Sequence, residues 1–488
     1  MGNNGKSVLG GLAWSFAERI SAQLVSTIVG IVLARILMPE DYGLISIVMV
    51  FISLCDVFVT SGFCSAVVQK KEADETDFNT AFYLSLGTSL VLYLVLFFTA
   101  PVIAKMYQMP LLSPVIRVLG IRLVITALNS IQQSYIRRSM SFRKLFVANI
   151  WGTVFSCGVG IAMAYGGFGV WALVAQYMAN SVTGTVVLLF VCGWRPRVQF
   201  SAKKAREIFS FGWKVLCTQL VAVLESDIRS LIVGKVFGAA DLAYFDQGKK
   251  YPSLLVTNVN SSLNRVMLPA FSKKQDKIDE LRSMLRKSVR TGLFIIVPIM
   301  MGLFAVAESF VSVVLTDKWM QIVPFLRIFC VIYMTRPLEE MCHQAVIALG
   351  RSDISFKIMI LINVTALSTV LLAVFVFHSV LLMAVLSLLN AFVSIVCFLI
   401  ATNKLVGYRF KDQLADVLPT ILNSFTMCVV VYAVHFIPLS QITVLVIQIL
   451  VGIGVYCLLS HMCKMEAYFY FRSMIINRIF KNKNHAKE

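Results

Sequence analysis

Between Ile208 and Ala270 two long apolar runs meet at Gly238-Ala239-Ala240-Asp241. They enclose Lys214, Glu225, Asp227 and Arg229, then Lys249, Lys250 and Arg265. A charge at bilayer depth costs from about 2.5 to above 10 kcal/mol, so such groups face a partner or a watery cavity. At about 100° per residue, Lys214, Glu225 and Arg229 fall within roughly 60° of one another, as do Lys250 and Arg265. Asp227 points roughly 200° away from Glu225 and cannot share that wall. Clustered ammonium and guanidinium groups at that depth read as the lining of a basic, water-filled chamber inside the membrane. Lys249 and Lys250 stand just before Tyr251-Pro252, where the proline removes a backbone donor and opens a helix locally.

Other charges fall inside apolar runs. Arg19 and Glu18 lie about ten residues into the first run, near mid-depth at 1.5 Å per residue. Arg336, Glu339, Glu340 and His343 share roughly 100° of one helix and read either as an ion-pair cluster or as a proton relay. Asp56 and Glu308 are lone acids that are candidates for carrying a coupling proton. Glu225 and Arg229, an i,i+4 pair, can equally neutralise each other.

The elements holding these residues follow from composition. The chain has 488 residues, 58% hydrophobic and 14% charged, with mean hydropathy +0.81. Soluble domains carry about 25% charged residues, so the soluble classes are excluded and an all-α polytopic membrane protein is expected. Length and turn signals predict about fourteen spans, the first over 9–36, the second over 43–68, the eighth over 241–270 and the last over 441–463. The run from Val8 to Leu37 is too long for a signal-peptide core, and Lys6 stands where a myristoylation signal needs Ser or Thr.

The net charge of +19 does not point to nucleic acid, because the cations lie in short loops between spans. Of the 44 Lys and Arg, 30 fall on one side of the alternating connections and four (Arg35, Lys105, Lys235, Lys318) on the other. That asymmetry places both termini in the cytoplasm. The eleven cysteines contain no CxxC pair, so neither a disulfide framework nor a metal site is expected, and no cofactor is called for. No phosphate-binding GxxxxGK[ST] loop occurs, which argues against energy from bound ATP. The longest connection, Ser272 to Lys287, reads as a short surface helix. Ile28-Val29-Gly30 before Pro39-Glu40-Asp41-Tyr42-Gly43 is echoed by Ile232-Val233-Gly234 before Asp241-Leu242-Ala243-Tyr244, a hint of internal duplication.

Four stretches carry a resemblance. Leu33-Ala34-Arg35-Ile36-Leu37-Met38-Pro39-Glu40-Asp41-Tyr42-Gly43 resembles the first-hairpin signature of polysaccharide flippases. Arg265-Val266-Met267-Leu268-Pro269-Ala270-Phe271-Ser272 resembles the end of their eighth span. Asp317-Lys318-Trp319 with Ile322-Val323-Pro324-Phe325-Leu326, and Ser352-Asp353-Ile354-Ser355-Phe356-Lys357, resemble the entries to their tenth and eleventh. Together they are similar to the lipopolysaccharide-exporter branch, the colanic-acid and teichuronic-acid type, of the multidrug/oligosaccharidyl-lipid/polysaccharide superfamily.

The resemblance implies two six-helix lobes in a V around a central cavity, over 1–195 and 196–404, two additional spans over 405–463 and a basic tail over 464–488. It implies alternating access that carries an undecaprenyl-diphosphate-linked oligosaccharide to the periplasmic leaflet of a bacterial inner membrane, driven by an ion gradient. It also favours Arg19 as a phosphate ligand.

On this reading Arg19, Lys214, Arg229, Lys249, Lys250 and Arg265 are the diphosphate-site candidates. Glu18, Asp56, Glu225, Glu308, Arg336 and Glu340 are candidates for coupling or ion pairing. Membrane lipids, and the glycosyltransferases and polymerase of the same polysaccharide, are the expected partners of a monomer. The alternative is an ion-coupled multidrug antiporter of the same superfamily, but cationic drugs want an acidic chamber and the in-span excess here is basic. An integral-membrane polymerase or ligase, the enzyme alternative, would carry a large outer loop, and the outer connections are a few residues long.

Overall fold

The computed structural model describes Gln23 and residues 25–70, 72–139 and 141–473, with every side chain among these except those of Glu225, Ser226, Ser262 and Arg265. All regular structure among the described residues is helical. The chain divides into two compact units, Met1–Ala243 and Tyr244–Glu488, each described by itself.

Unit 1 contains α1 (Val25–Ile36), α2 (Pro39–Thr60), α3 (Gly62–Gln69), α4 (Glu75–Tyr107), α5 (Leu112–Arg138), α6 (Phe142–Tyr165), α7 (Val170–Val191), α8 (Ala202–Val236) and the start of α9 (Ala239–Ser272). The first-hairpin motif is a helix-start device. Pro39 occupies the first turn of α2, where its missing N–H is no loss. The Asp41 carboxylate accepts from the Met38 backbone N–H at 3.1 Å, and the Tyr42 hydroxyl donates to the Gly30 carbonyl at 3.3 Å. Gly43 is the point of closest approach. A Cβ there would stand 1.7 Å from the Ala239 carbonyl oxygen, so the α1–α2 turn can meet the α8–α9 turn only through a glycine. The two sequence echoes are thus in contact. The span expected over 43–68 falls within one membrane-length stretch, Pro39–Gln69, interrupted only at Ser61, which keeps helical dihedrals between α2 and α3. Just before the break, Thr60 Oγ1 donates back to the Asp56 carbonyl at 2.7 Å, a bond that bends helices.

Unit 2 contains the rest of α9, then α10 (Ile278–Ala305), α11 (Ala307–Phe310), a π-helix over Val311–Leu315 and a 3₁₀ turn over Asp317–Ile322. α12 (Val323–Met334), α13 (Arg336–Ala348), α14 (Ser352–Phe375), α15 (Val380–Val406), α16 (Phe410–Ala433) and α17 (Gln441–Met462) follow. One expectation is corrected. Residues 278–287 are not a separate surface helix but the first turns of α10, since nothing before Pro298 interrupts the pattern. The span expected over 321–348 falls within one membrane-length stretch, Asp317–Ala348, which is divided into α12 and α13 because Pro337 in the first turn of α13 has no N–H to continue α12. The core of unit 2 gathers Phe271, Leu285, Val289, Met341, Val346 and Tyr408 around α10 and α13.

Among the described residues twelve helical stretches, with Pro39–Gln69 and Asp317–Ala348 each taken as one, are long and apolar enough to cross a membrane. A count of fourteen adds α1, described only from Val25, and α9. At 34 residues α9 is long enough, but Asp241, Asp246, Lys249, Lys250 and Arg265 lower its apolar character.

Candidate functional site

Of the six diphosphate candidates, three keep an ammonium group with no hydrogen-bond or ion-pair partner among the described residues. Lys214 is exposed on α8, on the same helical face as Lys203, Arg206 and Ser210, and together they line an open concavity of about 890 Å³. Spacings of three, four and four residues make this a stripe rather than a scatter. Lys249 and Lys250 are half-buried on α9, immediately before the buried Tyr251-Pro252 pair. Arg229 is half-buried and engaged in contacts within the fold. Arg19 and Glu18 lie outside the described residues, as do the side chains of Glu225 and Arg265. Asp227, which helical geometry turned away from the Lys214 wall, accepts a hydrogen bond from Ser53 Oγ on α2 at 2.7 Å.

The acidic candidates are mostly engaged. Glu308 is not a lone acid. Arg327 on α12 meets it at 2.9 Å and His435, after α16, at 3.3 Å. The Arg327 guanidinium lies 5.6 Å above Phe304 and 5.8 Å above Tyr432. Asp56 is held loosely, 3.9 Å from the Arg122 guanidinium, and its buried Oδ1 makes no hydrogen bond. Arg122 itself donates to Ser181 Oγ at 3.2 Å, tying α2 through α5 to α7.

The four α13 residues do not form one network. Arg336 pairs with Glu339 at 3.2 Å, whereas Glu340 accepts from Asn264 of α9 at 2.6 Å and from Gln344 at 3.0 Å. His343 meets Ser355 Oγ at 2.8 Å. A chain of proton carriers from Glu340 to His343 is therefore not assembled in this geometry.

Two charged clusters escaped the sequence reading. In unit 2 the fully buried Asp416 carboxylate of α16 accepts from Arg286 at 2.8 and 2.9 Å, from Arg290 at 2.9 and 2.6 Å, and from the Tyr408 hydroxyl at 2.8 Å. The i,i+4 spacing of the arginines on α10 was the available signal. In unit 1 Lys204 of α8 reaches Asp74 at 2.5 Å and the buried Asp77 at 3.8 Å, while Lys70 reaches Asp77 at 2.8 Å. The Lys204 ammonium, with the Asp77 backbone N–H, holds the Asp74 carboxyl down at about 2. Among the described residues no group of His, Cys, Asp and Glu has metal-binding geometry.

The arrangement thus offers unpaired cations in or beside long apolar helices, with Glu308 and Glu340 engaged by other groups, Asp56 held loosely, and Glu207 beside the α8 stripe. That suits an anionic headgroup attached to something the bilayer can hold.

Residues 32–324 match the family model described as polysaccharide biosynthesis protein. The lipopolysaccharide biosynthesis protein WzxC of Escherichia coli K12 is 24% identical over 356 residues, 72% of each chain. The teichuronic acid biosynthesis protein TuaB of Bacillus subtilis is 23% identical over 353 residues, 72% of this chain and 73% of that one. The succinoglycan biosynthesis transport protein ExoT of Rhizobium meliloti is 22% identical over 316 residues, 65% of this chain and 64% of that one. Among solved structures, the lipid II flippase MurJ in an inward closed conformation superposes with a TM-score of 0.76 at 14% identity, covering 95% of this chain and all (100%) of that one. An inward-facing MATE multidrug resistance transporter of the MOP superfamily gives 0.57 at 16% identity, over 79% of this chain and 95% of that one.

Proposed function

From the premise that the chain belongs to the polysaccharide biosynthesis protein family, we propose that it flips a lipid-diphosphate-linked oligosaccharide between membrane leaflets by alternating access. The observation that carries this is the half-buried Lys249–Lys250 pair of α9, without a carboxylate partner among the described residues, inside a membrane-length helix. Desolvated cations are stable only with an anion or water beside them. A visiting diphosphate supplies charge-assisted hydrogen bonds, and its lipid stays in hydrocarbon throughout. Within unit 1, Lys203, Arg206 and Lys214 near the start of α8 form a second cationic stripe suited to an anionic headgroup.

The sidedness of the loops supports export from the cytoplasmic leaflet, with both termini inside and a bacterial inner membrane as the location. The chain works as a carrier rather than an enzyme, as a monomer organised in the two six-helix lobes expected from the duplicated turns. Glycosyltransferases supply its cargo and a polymerase consumes it. The multidrug alternative fares worse here, because Glu308 and Glu340 are occupied while the free charges are cationic.

The test is reconstitution into liposomes with a fluorescent lipid-diphosphate-linked oligosaccharide in both leaflets, followed by enzymatic attack from outside. Wild-type protein should make the inner pool accessible within the assay, and the combined Lys214→Ala, Lys249→Ala and Lys250→Ala protein should not. If wild-type vesicles keep the inner pool protected, or the triple variant matches wild type, the reading fails.

A further inference from the structure

Unit 1 holds a second space whose chemistry is unlike that of the cationic stripe. It has about 700 Å³ and lies between α2–α3 and the second half of α5. That volume falls within the range of about 300–1,000 Å³ found for small-molecule pockets. Its lining is neutral apart from Arg137 and mixes polar and apolar groups: hydroxyls from Ser61, Ser65 and Thr126 and amides from Asn129 and Gln133 face it beside Val68 and Cys64, with Arg137 at one end. No carboxylate and no aromatic ring lines it.

These groups sit on two helical faces. On α5 the polar positions recur at 126, 129–130, 133–134 and 137, and on α3 at 61 and 65. Several are fixed in advance. Asn129 Nδ2 donates to Thr185 Oγ1 at 2.6 Å, Gln133 Nε2 to Asn129 Oδ1 at 3.0 Å, and Arg137 Nη2 to Gln133 Oε1 at 3.4 Å. The ladder runs from the buried Asn129 to the exposed Arg137. By contrast, the hydroxyls of Ser61, Ser65 and Thr126 have no hydrogen-bond partner among the described residues, although all three lie within membrane-length helices. The three residues are half-buried and their hydroxyls face an open space, so they are free to bond water or a ligand that displaces it.

The lining decides what that is. A phosphate would want more than one cation, a cation would want an acid, and a lipid tail would want an apolar wall. Hydroxyls and amides that donate and accept in alternation match a polyhydroxylated ligand. We infer that this neutral pocket is the sugar subsite of unit 1, holding the carbohydrate part of the cargo by hydrogen bonds rather than by ring stacking. The inference rests on the flippase reading and adds to it the place where sugar, as opposed to diphosphate, is held. It also separates two recognition tasks along the chain, with cations on α8 and α9 and neutral donors on α3 and α5.

Cys64 lines the same space and reports on it without any substitution. Wild-type protein in nanodiscs is treated with a membrane-permeant maleimide, and modification at Cys64 is followed by mass spectrometry. The discs contain no added lipid, bare undecaprenyl diphosphate, or the lipid-linked oligosaccharide extracted from the producing cells. Labelling of Cys64 should slow with the glycosylated lipid and not with the bare diphosphate. Ser61→Ala and Ser65→Ala remove hydroxyls that hold nothing in the fold. Each should weaken that protection about threefold to tenfold, the range for one lost hydrogen bond.

Equal protection by both lipids would make the pocket a lipid or phosphate site and overturn the inference. So would no protection by either, which would leave the space merely water-filled. Liposome transport of the same extracted lipid, measured in parallel, separates the two readings. Transport with an unprotected Cys64 removes the subsite alone. Protection without transport removes the flippase reading alone.

Discussion

Asp416 gives the sharpest test of how the last two long helices are held. Its side chain is fully buried at 0% exposure, while Arg286 and Arg290 are 31% and 36% exposed. Five hydrogen bonds converge on it, four of them from guanidinium groups. A charge-assisted bond is worth about 1.5–3 kcal/mol net, and five would sum to about 8–15, comparable with the whole stability of a domain. The sum therefore overshoots. Deleting one member of a buried pair costs about 3–5 kcal/mol. Here the arginines are a third exposed and can recover water, which puts Asp416→Ala near the low end, about 3 kcal/mol. That is roughly a hundredfold in the undocking equilibrium of α16.

Amide hydrogen exchange in detergent reads the effect directly. The first turns of α16, from Phe410, should lose about a hundredfold protection, and α6 and α7 of unit 1 should not change. Replacing Arg286 and Arg290 by Met together with Asp416→Leu should restore much of the loss, since well-packed apolar side chains often match a buried ion cluster. Protection of α16 within threefold of wild type after Asp416→Ala would refute the reasoning. A loss spread equally over both units would do so too.

Three further outcomes follow from single contacts. Gly43→Ala places a methyl 1.7 Å from a backbone oxygen that cannot rotate away. It should therefore lower the thermal midpoint and the yield of folded protein, whereas Gly87→Ala, with open space around its added methyl, should leave both unchanged. Asp74 is held down at about 2 by Lys204, so its contribution is fully present above the unfolded carboxyl value of about 4 and is lost as pH falls towards 2. Exchange at the start of α4 should rise only in that window, and Asp74→Asn should remove that step. Glu308→Gln leaves Arg327 and His435 facing each other without their shared anion. Tritium-free stability assays, by fluorescence-detected gel filtration after heating, should show a loss that Arg327→Gln in the same chain partly reverses; an additive loss would show that the pair is not coupled.

The positions of most helices were legible in the sequence because apolar length and loop charge are strong, local signals. What was not legible is nonlocal. Glu308 looked solitary because its partners lie on α12 and beyond α16, and Asp416 drew no notice because its arginines come from α10. The short reach of the sequence reading also explains one misplaced boundary. The charged first turns of α10 read as a separate surface helix although nothing interrupts the helix there, and Pro337 divides a span internally where hydropathy alone shows no break.

The neutral pocket escaped for a different reason. Charges inside spans are rare enough to be noticed singly, whereas Ser, Thr, Asn and Gln in a membrane helix commonly return their hydrogen bonds to their own backbone. Thr99, Thr153 and Ser368 do so here, each bonding the carbonyl four residues back. Ser61, Ser65 and Thr126 do not, and that difference exists only in three dimensions. A recognition surface for sugar can therefore be assembled from residues that look individually inert, provided their hydroxyls are turned away from their own helices and towards a shared space. In a carrier this has a mechanical advantage: neutral donors release a polyol with little electrostatic penalty, so the cationic residues can set the affinity for the headgroup while the pocket sets which sugar accompanies it.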